Sequence, residues 1–160
     1  MNRLELNFGR KGFRREDFIK LLETMDQLRE TLKVHHLRTT TCREDVLSTF
    51  INRKNALSHG DLEGALGESY DRVTIYRTLK TFLEKGIIHK VLDDEGLRYA
   101  LCSHSCSEEK HQHDHIHFKC SSCGETNCLE NLHIPAVSLP DGYHPENFNL
   151  LIQGICPKCN

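Results

Sequence analysis

Apolar residues recur at helical spacing through the first half of the chain and give way to short strand-like runs in the second. From Asp17 onward, Phe18, Leu21, Leu22, Met25, Leu28 and Leu32 fall on one helical stripe. Thr41 followed by Glu44 has the form of a capping box, and Val46, Leu47 and Phe50 then share a face. Ser58 with Asp61 repeats the signal before Leu62, Ala65 and Leu66. A further helix opens at Ser69 or Asp71 and runs to about Lys85, where Gly86 stops it. On its wheel Ile75, Leu79, Phe82 and Leu83 lie to one side and Thr74, Arg77, Lys80 and Thr81 to the other, with Tyr76 at the edge. Residues 87–92 and 97–101 then flank Asp93-Asp94-Glu95-Gly96, a hairpin in which Gly96 is free to take positive φ. Three or four helices followed by a hairpin is the order of a winged helix-turn-helix.

Past the hairpin the pattern weakens. Residues 102–114 read as a polar, His-rich loop, and strand-like stretches follow near 115–119 and 149–155. Between them Pro135 and Pro140 oppose a long helix. This predicts an α+β chain: a basic arm over 1–16, a winged-helix domain over 17–92, a wing strand and hinge over 93–102, and a small α/β domain over 103–160.

Composition sharpens that division. Residues 1–92 hold 17 Lys/Arg against 13 Asp/Glu, whereas residues 93–160 hold 4 against 10, so a basic front precedes an acidic back. The back also carries seven of the eight Cys and seven of the eleven His. A hydrophobic share of 38% beside 28% charged residues excludes a disordered chain. No apolar run approaches the roughly 18 residues of a membrane span, and the charged start is unlike a signal peptide. The expectation is a cytoplasmic protein without membrane contact, whose reduced thiols serve metal rather than disulfides.

Two CxxC knuckles, Cys120-Ser121-Ser122-Cys123 and Cys156-Pro157-Lys158-Cys159, carry the strongest chemistry. Two-residue spacing aims both thiolates of a knuckle at one ion, and two knuckles complete a closed tetrahedral zinc site. The 32 residues between them exceed a compact zinc ribbon. His111, His113, His115 and His117 alternate just before the first knuckle, so on a strand His113, His115 and His117 share a face. A solvated His-rich loop accounts for His104 and His111 but less well for His115 and His117. His89 and Cys102, each unremarkable alone, bracket the hairpin. His144-Pro145-Glu146 ahead of the second knuckle loosely matches a zinc deaminase motif. Its Pro is on the wrong side of the Cys, and the spacing leaves little room for the intervening elements, which puts that reading well behind.

Over roughly residues 28–160 the chain resembles the ferric uptake regulator family. The resemblance is carried by Leu37-Arg38-Thr39-Thr40-Thr41-Cys42-Arg43, by Val73-Thr74-Ile75-Tyr76-Arg77-Thr78-Leu79, by the HxHxxC from His115 to Cys120, and by the two knuckles in that order. It implies a winged-helix DNA-binding domain, a C-terminal dimerisation domain, and a homodimer that represses transcription when a sensing site holds metal. In that pattern Tyr76 and Arg77 read bases, and Arg38 enters an A·T-rich minor groove. Arg is suited to guanine and the Tyr ring to thymine methyls, while Thr74 and Lys80 complete the exposed face. Iron and peroxide sensors of the family carry an acidic ligand where this chain has Ala100 and a His where it has Ala56. A second site in some iron regulators needs a His near Phe148. Zinc uptake regulators instead use a Cys in the position of Cys102, and thiolate with imidazole suits Zn2+ over Fe2+ or Mn2+.

The expected function is therefore a zinc-responsive, DNA-binding repressor of metal-uptake genes, with no small organic substrate and no catalysis. Cys120, Cys123, Cys156 and Cys159 are expected to hold structural Zn2+. His89, Cys102, His115 and His117 are expected to form the regulatory site, with His113 and Cys128 as substitutes and Fe2+ or Mn2+ as competing ions. The competing readings are an iron or peroxide sensor of the same family, a zinc hydrolase or deaminase, and a metal-buffering protein.

Overall fold

The computed structural model describes residues 15–102, 115–133, 138–144 and 149–160; of residues 15–23, 115, 130, 131 and 133 only the backbone is described. The expected roles of the arm, of His104, His111 and His113, and of Pro135 and Phe148 fall outside these ranges.

Four helices build the front: α1 (Arg15–Val34), α2 (Thr41–Arg53), α3 (His59–Leu66) and α4 (Arg72–Glu84). The first helix begins two residues ahead of the expected arm boundary. Leu28, Leu32, Val46, Leu47, Phe50, Leu62, Ile75, Leu79 and Phe82 meet in one core, as their spacing requires. The α2 cap corrects the sequence reading by one residue. Thr40, not Thr41, is the N-cap and accepts from the Arg43 amide at 3.5 Å, so no capping box forms there. The reciprocal box does form at α3, where Ser58 accepts from the Asp61 amide at 3.1 Å and Asp61 accepts from the Ser58 amide at 2.8 Å. Asp71 caps α4. Because Phe82 is fully buried at the centre of this core, Phe82→Ala is expected to lower unfolding free energy by about 3–5 kcal/mol. Denaturant titration with the slope held constant would check it.

Gly86, at φ 69°, ends α4 and releases the chain into a hairpin of β2 (Ile88–Asp93) and β3 (Gly96–Leu101). Asp93 pairs with Gly96 across the turn, and Gly96 takes φ 124°. A two-residue strand absent from the sequence reading, β1 (Leu57–Ser58), adds to the outer edge of β3, giving the order β1-β3-β2.

The back contains a second sheet of order β5-β4-β6, built from β4 (His115–Cys120), β5 (Thr126–His133) and β6 (Leu150–Gly154). β5 is a further addition to the reading. It pairs antiparallel with β4, while β6 lies parallel on the other side. Pro140 accepts from the Tyr143 amide at 3.3 Å in a turn with Gly142 at φ 89°, so this stretch is a turn rather than a helix. No helix among the described residues is long and apolar enough to cross a membrane.

Candidate metal centres and nucleic-acid face

Parallel pairing explains how two knuckles so far apart in sequence meet. β4 ends in Cys120, which is in register with Gly154 at the end of β6, and Cys156 follows two residues later. Gly154 sits where an added Cβ would lie 3.2 Å from the Phe118 ring, so a larger residue would require that ring to shift. The sulfurs of Cys120, Cys123, Cys156 and Cys159 all lie within 4.8 Å of one another, with 4.0 Å between Cys123 and Cys156. A tetrahedral zinc with 2.3 Å bonds sets sulfurs about 3.8 Å apart, so the four donors fit that ion. No disulfide joins the seven described cysteines to one another.

The electrostatics of this cluster are uneven. Backbone amides of Cys123 and Cys156 hold the Cys120 thiol well below its ordinary range, at about 6. Cys159 receives help from the Ser122 hydroxyl, but its thiol neighbours Cys156 and Cys123 push it up to about 12. Cys123 is likewise raised, since the Glu125 amide that favours its thiolate is outweighed by burial and the Cys120 sulfur. One thiolate forms readily; a full set needs a cation to absorb the charge.

A second cluster lies where the two sheets meet. His89 on β2, His117 on β4 and Cys128 on β5 bring ligand atoms within 4.8 Å of one another. The Nε2 atoms of His89 and His117 approach to 3.2 Å, and the Cys128 sulfur is 3.3 Å from His89 Nε2. Both imidazoles are almost completely buried, at 1% and 3% exposure. Zinc bonds of about 2.0–2.3 Å place neighbouring nitrogen and sulfur donors roughly 3.3–3.7 Å apart, close to these separations. The Cys102 sulfur sits at the other ring nitrogen, 3.5 Å from His89 Nδ1. Cys102 therefore touches the back of the ring, while Cys128, a substitute in the sequence reading, shares the front. His115 begins the same strand, but its side chain is among those not described. A cavity of about 320 Å3, lined by Phe50, Lys54, Ala56, Ala100, Cys102 and Cys128, opens beside the two thiols.

Two positions that mark iron sensing in the resemblance are apolar here. Ala56 and Ala100 pack with Val91 in a small buried cluster against which Cys128 rests. Neither contributes a donor to the imidazole–thiol cluster.

The exposed side of α4 presents Val73, Tyr76, Arg77 and Lys80, with Thr74 half-buried among them. Tyr76 is 55% exposed. The buried side is fixed to α2 by Cys42, whose sulfur is 3.4 Å from the Thr78 hydroxyl. Arg38 is exposed ahead of α2, and the Arg43 guanidinium donates to its carbonyl at 2.7 Å. Lys80 reaches Glu84 at 3.9 Å, an exposed pair of little energetic weight.

These features define a winged-helix domain joined to a thiolate-bearing sheet, with buried imidazoles at the junction. The sequence profile of the ferric uptake regulator family matches residues 34–150. The ferric uptake regulation protein of Synechococcus elongatus is 32% identical over 143 residues, covering 85% of this chain and 95% of that protein. The chain belongs to the ferric uptake regulator family, whose members are metal-responsive transcription regulators and not enzymes. Solved structures share the fold. A zinc uptake regulator complexed with zinc and DNA has a TM-score of 0.61 at 21% identity, covering 86% of this chain and 93% of that one. The Vibrio cholerae ferric uptake regulator has a TM-score of 0.52 at 23% identity, covering 79% and 98%.

Proposed function

We propose that this protein is a zinc-responsive repressor that binds operator DNA as a homodimer and controls metal-uptake genes. The observation that carries the reading is the buried His89–His117–Cys128 cluster between the two sheets. Imidazole with thiolate is a softer donor set than the carboxylate-rich sites that suit Fe2+ or Mn2+. The alanines at 56 and 100 support the same choice. The four-cysteine cluster would hold a second zinc with all four positions filled, leaving none for substrate, as suits a structural ion. When bound at the junction, zinc supplies a bridge between the wing and the back sheet. The remainder is positioning by the chain: α4 enters the major groove, and the junction sets the separation of the two copies of α4 in the dimer. Zinc favours the binding-competent arrangement only through tighter binding to it, typically by about 1–3 kcal/mol.

The 32% identity to a ferric uptake regulation protein favours an iron-responsive reading as the second choice. DNA selected from a random pool by the zinc-loaded protein would be titrated against Zn2+, Fe2+ and Mn2+ at buffered free concentrations. Zinc should promote binding at the lowest free concentration relative to its buffering range. Activation by Fe2+ with indifference to Zn2+ would exchange the two readings.

Sequence preference is expected to reside on α4. Arg77→Ala should cost about 1–3 kcal/mol on the selected DNA and relax the preference at one base pair. Lys80→Ala should weaken selected and random DNA alike and lower the salt slope by about one unit. Equal losses for Arg77→Ala on both DNAs would place the recognition face elsewhere.

A further inference from the structure

The turn of the wing is fastened to the back sheet by a buried ionic network beside the imidazole–thiol cluster. Asp93, at the end of β2, has its side chain fully enclosed. It accepts from Arg98 Nε at 2.7 Å, from the Thr126 hydroxyl at 2.9 Å, and from the Glu95 and Gly96 amides at 3.0 and 3.1 Å. Lys119 reaches across from β4, its ammonium 3.4 Å from Asp93, 2.6 Å from Asp94 and 3.1 Å from Glu95. Arg98 is also bound to Glu95 and, at 3.2 Å, to Asp61 on α3. Thr126 also accepts, through its carbonyl, from the Ala56 amide at 2.7 Å, and Asn149 donates to the Leu92 carbonyl at 2.9 Å.

The register links this network to the metal cluster. On β2, His89, Val91 and Asp93 form one buried face, with Lys90 and Leu92 exposed between them. On the back sheet His117 pairs with Cys128, and Lys119 pairs with Thr126 two residues along on the same faces. Each of three strands thus contributes one group to the metal cluster and one to the ionic network. Asp93 lies about 13 Å along β2 from His89, four residues at roughly 3.3 Å each. Anchors at both ends of that span fix the angle of β2 on the back sheet as well as its position.

We infer that Asp93, Lys119 and Thr126 are positioning residues for the sensing site. They hold β2 so that His89 meets His117 and Cys128 before any ion arrives. The inference rests on the reading of the cluster as a metal site. A buried charge held by this many partners is costly to leave half-made, so removing one partner should loosen the alignment rather than delete a donor. Asp93 touches none of the three donors and acts through the strand it holds, so Asp93→Asn is expected to weaken the second zinc by several-fold, short of the roughly 10- to 100-fold typical of a group bonded directly to a ligand.

The test is competition of full-length protein, its four-cysteine site loaded, against a chromophoric zinc chelator, with cobalt(II) as a spectroscopic probe. Asp93→Asn and Thr126→Val should both lower affinity for the second ion while leaving the sulfur-to-cobalt band of the site at its wild-type energy. Lys119→Met combined with Asp93→Asn should lose no more than the larger single loss, because both act through one network. Wild-type affinity in folded Asp93→Asn or Thr126→Val protein would overturn the inference, as would an altered cobalt band, which would signal a changed donor set. If Asp93→Asn fails to fold, the isosteric Thr126→Val decides alone. A wild-type protein that binds only one ion per chain would instead remove the sensing-site reading itself.

Discussion

Replacing Cys120 with serine is expected to dismantle the back sheet while leaving the helices of the front in place. Cys120 ends β4, is fully buried, and receives the Cys156 amide at 3.4 Å. Its backbone closes the knuckle by accepting from Gly124 at 2.9 Å, with Gly124 at φ 73°. The front has an extensive apolar core, but among the described residues after 103 the buried hydrophobics are Ile116, Cys120 and Cys156. Two of the three are the proposed zinc ligands themselves. A three-stranded sheet with so little apolar burial needs another source of stability. Structural zinc can supply roughly 10–16 kcal/mol of apparent binding energy, comparable to the whole stability of an ordinary domain. Cys120→Ser protein should therefore lose the back sheet's share of the unfolding transition and both zinc ions, because His117 and Cys128 of the second cluster lie on β4 and β5 of the same sheet. Helical circular dichroism from α2 to α4 should persist. Prolonged treatment of the wild type with a strong chelator should have the same effect. Unchanged zinc content and an unchanged unfolding midpoint in the serine variant would defeat the structural role.

Local signals were the legible ones. The Ser58–Asp61 box, the Gly86 stop and the Gly96 turn each depend on a few neighbouring residues, and each forms as the pattern predicts. The cap of α2 was ambiguous because Thr39, Thr40 and Thr41 are chemically equivalent candidates. Tertiary contacts select among them: Arg43 holds the Arg38 carbonyl and Cys42 abuts Thr78. β5 was invisible for another reason. Thr126-Asn127-Cys128-Leu129-Glu130-Asn131-Leu132-His133 contains two Asn and a Glu, residues depleted in strands. Its pairing is also irregular, with a register shift opposite His115 and Ile116. That missed strand is what turns Cys128 from a substitute ligand into a direct neighbour of His89. The network around Asp93 was hidden because Asp93-Asp94-Glu95 reads as a solvated turn until Lys119 is placed over it.

Cys128→Ala is expected to abolish zinc-dependent DNA binding, and Cys102→Ala only to weaken it. The Cys128 sulfur lies within reach of an ion shared with His89 Nε2 and His117, whereas Cys102 contacts Nδ1 on the far side of the His89 ring. Removing a donor deletes a bond to the ion; removing a group behind the ring frees its orientation and tautomer. The second kind of loss is typically about 10- to 100-fold in affinity, so Cys102→Ala should fall within that range and Cys128→Ala well beyond it. The order should hold for zinc far more than for iron(II), because the thiolate is what favours the softer ion. Both variants should keep the fold and the four-cysteine zinc, since neither thiol belongs to that cluster. Cobalt(II) loading separates the cases directly: the sulfur-to-cobalt band of the second site should vanish in Cys128→Ala and survive in Cys102→Ala. The reverse outcome would make Cys102 the thiolate ligand through a rotated His89 ring. Undiminished zinc dependence in both variants would remove thiolate from the sensing site and put the iron-responsive reading first.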